Sequence, residues 1–200
     1  MSRIGASGVE ELLATGGESG KWSPFAVQLG HDPHDVAAIR SGECGVQDEG
    51  SQLVALCLAH AQIVGSDTSW LDLCSGPGGK AALLKYLAHE RGARLTAVEL
   101  QSHRATLVES ALSPLSGQHT VVTADGRDSQ FATGSFDRVL VDAPGTGLGV
   151  LRRRAESRWR RNASDVAELA KLQRELLKNA LAALATPARH RRDVSRFAYS

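Results

Sequence analysis

The fold of this chain is decided by the stretch Trp70-Leu71-Asp72-Leu73-Cys74-Ser75-Gly76-Pro77-Gly78-Gly79-Lys80. Its first five residues form a short, mostly apolar run that is typical of a buried strand. The glycines and the proline that follow predict a tight turn. Leu83, Leu84 and Leu87 come next at helical spacing, so the stretch predicts a strand, a glycine-rich turn and a helix in succession.

The same alternation continues along the chain. Capping residues from Asp48 onward predict a helix before the first strand. The other elements are predicted from their apolar patterns: strands over residues 94–100, 119–124 and 136–141, and helices over residues 102–112 and 164–184, the last with Ser164 as N-cap. Alternating elements predict an α/β fold with a parallel sheet. After Pro187 there is neither strand alternation nor an apolar run, so we expect the sheet to stop after four strands.

The composition is that of one globular domain with a small appendage, since 42% of the 200 residues are hydrophobic and 22% are charged. Residues 1–45 are rich in Gly and Pro and hint at a helix only over residues 9–13, so residues 46–200 are expected to hold the main domain, incomplete after about residue 187. The sequence contains no apolar run of membrane-spanning length and no secretion signal, which indicates a cytoplasmic protein without membrane contact.

The three cysteines, Cys44, Cys57 and Cys74, form no CxxC pair. Their odd number and their spacing argue against a disulfide framework and against a zinc site, so reduced thiols and no metal are expected. Cys57 falls on the apolar side of the helix that follows Asp48 and is expected to be buried.

The net charge of +1 hides an uneven distribution. Residues 1–137 carry 16 acidic and 9 basic side chains, whereas residues 138–200 carry 6 acidic and 14 basic ones. The densest basic cluster surrounds Trp159 and consists of Arg152, Arg153, Arg154, Arg158, Arg160 and Arg161. Such a cluster predicts binding of a polyanion, with a solvated basic loop as the alternative.

The glycine turn carries a nucleotide-binding signal. Gly76-Pro77-Gly78-Gly79-Lys80-Ala81 matches the form GxGxxA after a strand, and Glu99 ends the next strand. Glycines let the backbone approach a ligand and a carboxylate can hold ribose hydroxyls, so the pattern fits NAD and S-adenosylmethionine alike. A P-loop is excluded because Cys74 and Ala81 stand where it needs Gly and Ser or Thr. Four carboxylates at predicted strand ends share the edge where such sheets bind ligands: Asp72, Glu99, Asp125 and Asp142.

Three motifs carry a resemblance to a known family. Residues 71–80 resemble the first motif of the RsmB/Nop class of RNA cytosine-5 methyltransferases. The fourth motif of that class is resembled by three stretches of this chain, namely Val141-Asp142-Ala143-Pro144, Gly147-Leu148-Gly149-Val150-Leu151-Arg152-Arg153 and Arg158-Trp159. Its lead-in resembles Gly45-Val46-Gln47-Asp48-Glu49-Gly50-Ser51. The likeness covers residues 22–184 and points to the bacterial 16S rRNA methyltransferases. It implies a Rossmann-like class I S-adenosylmethionine-dependent methyltransferase fold, here without its last strands.

The resemblance implies a site for each part of S-adenosylmethionine. Its methionine and ribose portions would lie against Cys74, Ser75, Gly76, Pro77, Gly78, Gly79 and Lys80. Glu99 would hold the ribose, Asp125 would meet the adenine, and Asp142 would lie beside the methyl donor and the target base. RNA, in particular ribosomal RNA, would be the partner, contacted by Arg152, Arg153, Arg154, Arg158 and Trp159, whose ring either stacks on a base or anchors the loop. Residues 1–45 would be the remnant of an N-terminal RNA-binding and linking subdomain.

The chemistry of the family depends on cysteines that this sequence lacks. Cytosine C5 becomes nucleophilic only after a thiolate adds at C6, and members carry that cysteine in a sixth motif on the strand after the last helix. A second cysteine follows the proline of the fourth motif, where this chain has Gly145, and no cysteine occurs after Cys74. No catalytic residue is therefore assigned. The change of pattern near Pro187 suggests a truncation or a frameshift, which the nucleotide sequence of the gene tests.

Other interpretations of the same residues stay open. The main alternative is a non-catalytic remnant that binds S-adenosylmethionine or RNA. A nicotinamide dehydrogenase fits the GxGxxA form but explains neither the fourth motif nor the arginine cluster. An amino-group methyltransferase needs Pro-Pro and an aromatic residue after the acidic residue, whereas residues 142–145 read Asp-Ala-Pro-Gly.

Overall fold

The computed structural model describes residues 2–3, 6–30, 32, 35–41, 44–128, 131–145, 163–185 and 197–199. The helices in these ranges are α1 (Ala6–Ala14), α2 (Ala37–Arg40), α3 (Glu49–His60), α4 (Gly79–His89), α5 (Ser102–Leu112) and α6 (Ala163–Ala183). The strands are β1 (Ser2–Arg3), β2 (Glu18–Ser19), β3 (Val27–Gln28), β4 (Cys44–Gly45), β5 (Ser69–Asp72), β6 (Arg94–Glu99), β7 (His119–Thr123), β8 (Arg138–Val141) and β9 (Phe197–Tyr199). The helix predicted over residues 102–112 is α5 with the same bounds.

The central sheet, as far as the described ranges reach, has five parallel strands in the order β7-β6-β5-β8-β9. Every residue of β5 and β8 is buried, as expected for parallel strands covered on both faces. Consecutive residues of β5 point to opposite faces: Trp70 joins the core under α3, α4 and α5, and Leu71 joins the core under α6. The predicted Rossmann-like α/β fold is therefore confirmed.

The prediction that the sheet stops after four strands is wrong. β9 extends it by pairing in parallel with β8, from Val139 opposite Phe197 to Val141 opposite Tyr199. The segment after Pro187 carries no strand signal because β9 has three residues, too few for an alternating pattern. Its Phe-Ala-Tyr sequence favours a pleated strand, and β8 supplies the partner. The edge of β8, which would be unpaired in a four-stranded sheet, is therefore covered by β9.

A buried arginine ties the amino end of β8 to the loop before β5. Arg138 is 3% exposed. Its Nε and Nη2 donate to the two carboxylate oxygens of Asp67 at 2.7 Å, and its Nη1 donates to the carbonyls of Leu58 and Ala61. The guanidinium also lies 5.1 Å from the ring centroid of Trp70. These contacts hold the loop against the sheet, at the end away from the carboxyl tips of the strands.

The described residues among the first 45 pack around a small core of their own. β1 pairs with β4 and β2 pairs with β3, both antiparallel, and Leu12 and Cys44 are buried between them and the short helices. Glu49, the first residue of α3, joins this segment to that helix. Its Oε1 accepts hydrogen bonds from the backbone N–H groups of Trp22 and Ser23 at 2.6 and 2.8 Å.

Three local predictions need adjustment. Cys57 is exposed on α3, so the prediction that it is buried is wrong; the buried side of the helix instead carries Ala55 and Leu58. Asp48 takes the N-cap position of α3 without a side-chain capping hydrogen bond. α6 begins at Ala163, one residue before its predicted N-cap. None of the helices in the described ranges is both long and apolar enough to cross a membrane.

Candidate functional site

A cavity of about 570 Å³ opens at the carboxyl edge of the sheet. The strand order reverses there, because β5 is flanked by β6 on one side and by β8 on the other. Open α/β sheets bind ligands at such switch points. The lining combines three acidic residues with apolar ones from the loops and from α6: Glu99, Asp125, Asp142, Leu100, Leu172 and Leu176.

The turn after β5 presents backbone rather than side chain to Glu99. The Gly76 N–H donates to Glu99 Oε2 at 3.0 Å, and a Cβ at position 76 would overlap that carboxylate. Gly78, the N-cap of α4, has a φ of +112°, which glycine adopts without steric cost. The Ser75 hydroxyl is turned inward and donates to the carbonyl of Val98 at 3.0 Å. Glycine is therefore favoured at position 76 by the close approach of Glu99 and at position 78 by the backbone conformation.

Glu99 is a buried carboxylate held at the end of β6. It is 5% exposed, and its Oε1 accepts the Gln101 N–H at 3.0 Å. Arg104 Nη1 lies 3.7 Å from the same oxygen, and Arg104 Nη2 donates to the Gly76 carbonyl at 2.6 Å. Arg104 thus braces the carboxylate and the glycine turn together. A carboxylate fixed in this way keeps lone pairs that can accept hydrogen bonds from hydroxyl groups.

Asp125, after β7, is paired with an arginine two residues along the chain. Arg127 Nε lies 3.0 Å from both carboxylate oxygens, and its Nη2 lies 2.5 Å from Oδ2. The hydrogen bonds from Arg127 lower the pKa of Asp125 below its usual value, so the group is an anion at neutral pH. Between them, Gly126 packs closely against Leu73 and Leu176 and leaves no room for a side chain.

Asp142, after β8, is joined to the start of α4. Lys80 Nζ donates to Asp142 Oδ2 at 2.7 Å and lies 3.4 Å from the Ser51 hydroxyl of α3. The lysine side chain is 15% exposed and that of the aspartate 34% exposed, so the ion pair is partly shielded from solvent. Only Asp142 of the two lines the cavity. The lysine therefore fixes the carboxylate from behind.

Asp72, the last residue of β5, differs from the other three carboxylates. It is fully buried, and neither carboxylate oxygen has a hydrogen-bond partner among the described residues. Burial, followed by repulsion from Asp142, raises its pKa to about 7; the Lys80 ammonium and the nearby Cys74 backbone N–H, which does not reach hydrogen-bond geometry, oppose this shift. At neutral pH the group therefore exists in both protonation states.

Cys74 is not a nucleophile in this setting. Burial raises the pKa of its thiol to about 12, with repulsion from Asp72 and Glu99 adding to the shift. The thiol is therefore protonated at neutral pH, and only a thiolate attacks carbon efficiently. Its side chain packs against the core under α6.

The structure divides the predicted cofactor positions into two groups. Five line the cavity: Cys74, Gly76, Glu99, Asp125 and Asp142. Ser75, Pro77, Gly78, Gly79 and Lys80 form the turn and the start of α4 beside it. Sequence reasoning missed Arg104 and Arg127, because nothing in the local pattern distinguishes them from surface arginines. Gly145 lies within the described residues, and a Cβ added at this position would meet no neighbouring atom.

The predicted RNA contacts Arg152, Arg153, Arg154, Arg158 and Trp159 lie outside the described residues. Within the described part of the chain, no group of three or more His, Cys, Asp or Glu side chains is arranged to hold a metal ion.

The sheet order and the cavity at its carboxyl edge define a Rossmann-like α/β domain with a ligand-binding cavity. Residues 61–190 match the family model of the 16S rRNA methyltransferase RsmB/F, and the chain belongs to this family. S-adenosylmethionine is the cofactor of such enzymes. Among solved structures, NSun6 from Pyrococcus horikoshii, solved with SFG, shares the fold with a TM-score of 0.65 and 24% identity, over 80% of this chain and 41% of that one.

Two sequence relatives extend this comparison. A protein of Mycobacterium tuberculosis H37Rv that is named as a methyltransferase is 55% identical over 174 residues, which are 86% of this chain and 37% of that protein. The ribosomal RNA small subunit methyltransferase B of Escherichia coli strain 536 is 38% identical over 159 residues, which are 77% of this chain and 35% of that protein. The chain thus spans just over a third of the length of these relatives.

Proposed function

We propose that the cavity binds S-adenosylmethionine and that the domain serves methylation of C5 of a cytosine in small-subunit ribosomal RNA. The observation that carries the proposal is the convergence of Glu99, Asp125 and Asp142 on one cavity beside the glycine turn. Membership of the 16S rRNA methyltransferase family supports RNA as the substrate. The cytosine specificity rests on the resemblance of the first and fourth motifs.

The residues present fit this cofactor. Glu99 has lone pairs to accept the ribose hydroxyls, and Gly76 leaves the backbone accessible beside it. Leu100, Leu172 and Leu176 supply apolar surface for a flat adenine ring, with Asp125 at its edge. The turn over residues 74–80 wraps the methionine portion. When bound, S-adenosylmethionine supplies a positively charged, electrophilic methyl group.

Asp142 and Lys80 are assigned to the side of the site where the target base enters. The ammonium of Lys80 holds the Asp142 carboxylate at 2.7 Å from behind, so the second carboxylate oxygen stays available to a donor such as a cytosine amino group. Ser51 holds the lysine in turn. The pair positions the base rather than activating it, because neither group is a nucleophile for C6.

A second candidate, a non-catalytic module that binds S-adenosylmethionine or RNA, is favoured by a specific observation. The strand that follows the last helix reads Phe197-Ala198-Tyr199, Gly145 follows the fourth-motif proline, and the Cys74 thiol has a raised pKa of about 12. A thiolate that could activate C5 is therefore present neither at the two family positions nor at Cys74.

Two measurements on the same preparation distinguish the candidates. Calorimetric titration with S-adenosylmethionine tests the cavity, and transfer of labelled methyl to unmodified small-subunit RNA tests the reaction. Binding with transfer supports the enzyme, and binding without transfer supports the module. A folded chain that does not bind S-adenosylmethionine at millimolar concentration refutes both.

The variant Glu99→Gln keeps the shape of the side chain and should weaken S-adenosylmethionine binding. The matched control is Glu90→Gln, because Glu90 is an exposed acid at the far end of α4.

The proposed RNA contacts are tested separately. Replacing Arg152, Arg153 and Arg154 together by glutamine should weaken RNA binding across sequences and flatten its dependence on salt, because each lost phosphate contact removes about one released counterion. S-adenosylmethionine binding should not change. An unaltered salt slope contradicts the role of these arginines.

A further inference from the structure

Asp72 is the one acidic residue at a strand tip for which the proposed function supplies no role. It is fully buried, and both of its carboxylate oxygens are without a hydrogen-bond partner in the described part of the chain. An ionised carboxylate in such a place loses its hydration, and only the Lys80 ammonium and the Cys74 backbone N–H compensate for part of that loss. The neutral acid is therefore favoured, and the Lys80 ammonium, which favours the anion, offsets the cost of burial only in part among the described residues.

The charged groups around Asp72 are engaged elsewhere or carry the same charge. Lys80, on α4, gives its ammonium to Asp142 at the end of β8, at 2.7 Å. Asp142 itself and Glu99, at the end of β6, both repel a negative charge on Asp72. The neighbouring Cys74 thiol is neutral. No further cation balances Asp72 among the described residues that influence its pKa.

A positively charged ligand in the cavity would change this balance. Asp142 and Glu99 both influence Asp72 electrostatically, and both line the cavity, as do Leu73 and Cys74, the next two residues of the chain. A cation among these groups is therefore close to Asp72 in a region of low dielectric. There its field stabilises a nearby carboxylate far more than it would in water.

We infer that binding of a cationic methyl donor in the cavity expels one proton from Asp72 into solvent, so that the chain holds this cofactor more weakly as the solution becomes more acidic. The inference rests on the proposed cofactor site. In this step the O–H bond of the carboxyl group breaks, its electron pair remains on the oxygen, and the buffer takes the proton. Asp72 then acts as a positioning residue. Its ionised form attracts the cationic donor, and its protonated form does not.

The size of the effect follows from the pKa of about 7 in the free chain. If the bound form is fully ionised, cofactor binding releases about 0.9 proton at pH 6, about 0.5 at pH 7 and about 0.1 at pH 8. The direction of the pH dependence follows from the same reasoning. Below the pKa of Asp72 the free chain holds a proton that the bound chain does not hold, so acid favours the free chain. Affinity should therefore fall about tenfold for each pH unit well below 7.

Calorimetry in several buffers tests this directly. The heat of S-adenosylmethionine binding to the full chain is measured at pH 6, 7 and 8 in buffers with different enthalpies of protonation, and the slope counts the protons released. Wild type and the control Glu90→Gln should follow the predicted series. Asp72→Asn should release about 0.9, 0.5 and 0.1 proton fewer than the wild type at pH 6, 7 and 8; the α-amino group of the donor, with a pKa of about 8, contributes equally to both proteins and cancels in this difference. Wild-type binding at pH 6 with no dependence on the buffer overturns the inference.

An infrared titration of the free chain covers the case in which Asp72→Asn does not fold. The wild type should show the band of a protonated carboxyl group near neutral pH, and added S-adenosylmethionine should remove it. The absence of this band from the free wild type overturns the inference whether or not the cofactor binds. A chain that shows the band and does not bind the cofactor contradicts the proposed function and, with it, the expulsion of the proton.

Discussion

Replacement of Gly76 by alanine is expected to weaken S-adenosylmethionine binding strongly. The added Cβ would overlap Glu99 Oε2 and would lie 3.0 Å from Arg104 Cζ. The carboxylate must then leave its place, and the 3.0 Å hydrogen bond from the Gly76 N–H is lost. Arg104 also donates to the Gly76 carbonyl at 2.6 Å. The Glu99 side chain therefore cannot move toward Arg104 without disturbing this hydrogen bond.

The magnitude follows from the hydrogen bonds that a displaced Glu99 can no longer offer. A hydrogen bond to a charged acceptor contributes about 1.5–3 kcal/mol. Loss of one well-aligned ribose contact therefore predicts an affinity lower by about 10- to 150-fold. Calorimetric titration at pH 8 measures it, since proton release from Asp72 is then small.

The control is Gly30→Ala. Position 30 has open space around its Cβ and no positive φ, so this variant should bind as the wild type does. A Gly76→Ala chain with an unchanged melting temperature and an affinity within about threefold of the wild type, less than 1 kcal/mol, would refute the assignment of Glu99 to the cofactor.

Three further outcomes follow from other contacts. Arg138→Met should lower the free energy of unfolding by about 3–5 kcal/mol in urea denaturation, because it leaves the carboxylate of Asp67 without its buried partner; a loss under 1 kcal/mol would show that the pair is dispensable. Cys74→Ala should leave any methyl transfer intact, whereas abolished transfer with retained cofactor binding would make this thiol catalytic. The hydrogen bond from His119 lowers the pKa of Glu109, so the stabilisation it gives is present above the unfolded pKa and is lost as the pH falls. Glu109→Gln should therefore reduce the melting temperature more at pH 7 than at pH 3, and equal reductions would contradict this contact.

Local patterns in the sequence predicted the elements that position the site. The apolar run of β5, the glycine turn and the helical spacing after it are each visible within about ten residues, and so are the carboxylates at the strand ends. Such features depend on backbone freedom and on periodicity, which neighbouring residues determine. β9 escaped prediction because a strand of three residues has no period of its own and is selected by its partner, β8.

The sequence by itself determined the order of the elements and the edge of the sheet at which the acidic residues meet. Only the tertiary structure decided the protonation and pairing of these carboxyl groups. Asp125 forms an ion pair with an arginine, and Asp142 forms one with a lysine 62 residues away in the chain. Asp72 has no hydrogen-bond partner among the described residues. The physical reason is that the charge of a carboxyl group depends on burial and on the partners that folding brings within a few ångströms. Lys80 reaches Asp142 from a separate helix, and Arg127, although close to Asp125 in sequence, meets it only through the course of the loop, so the sequence pattern alone predicts neither contact.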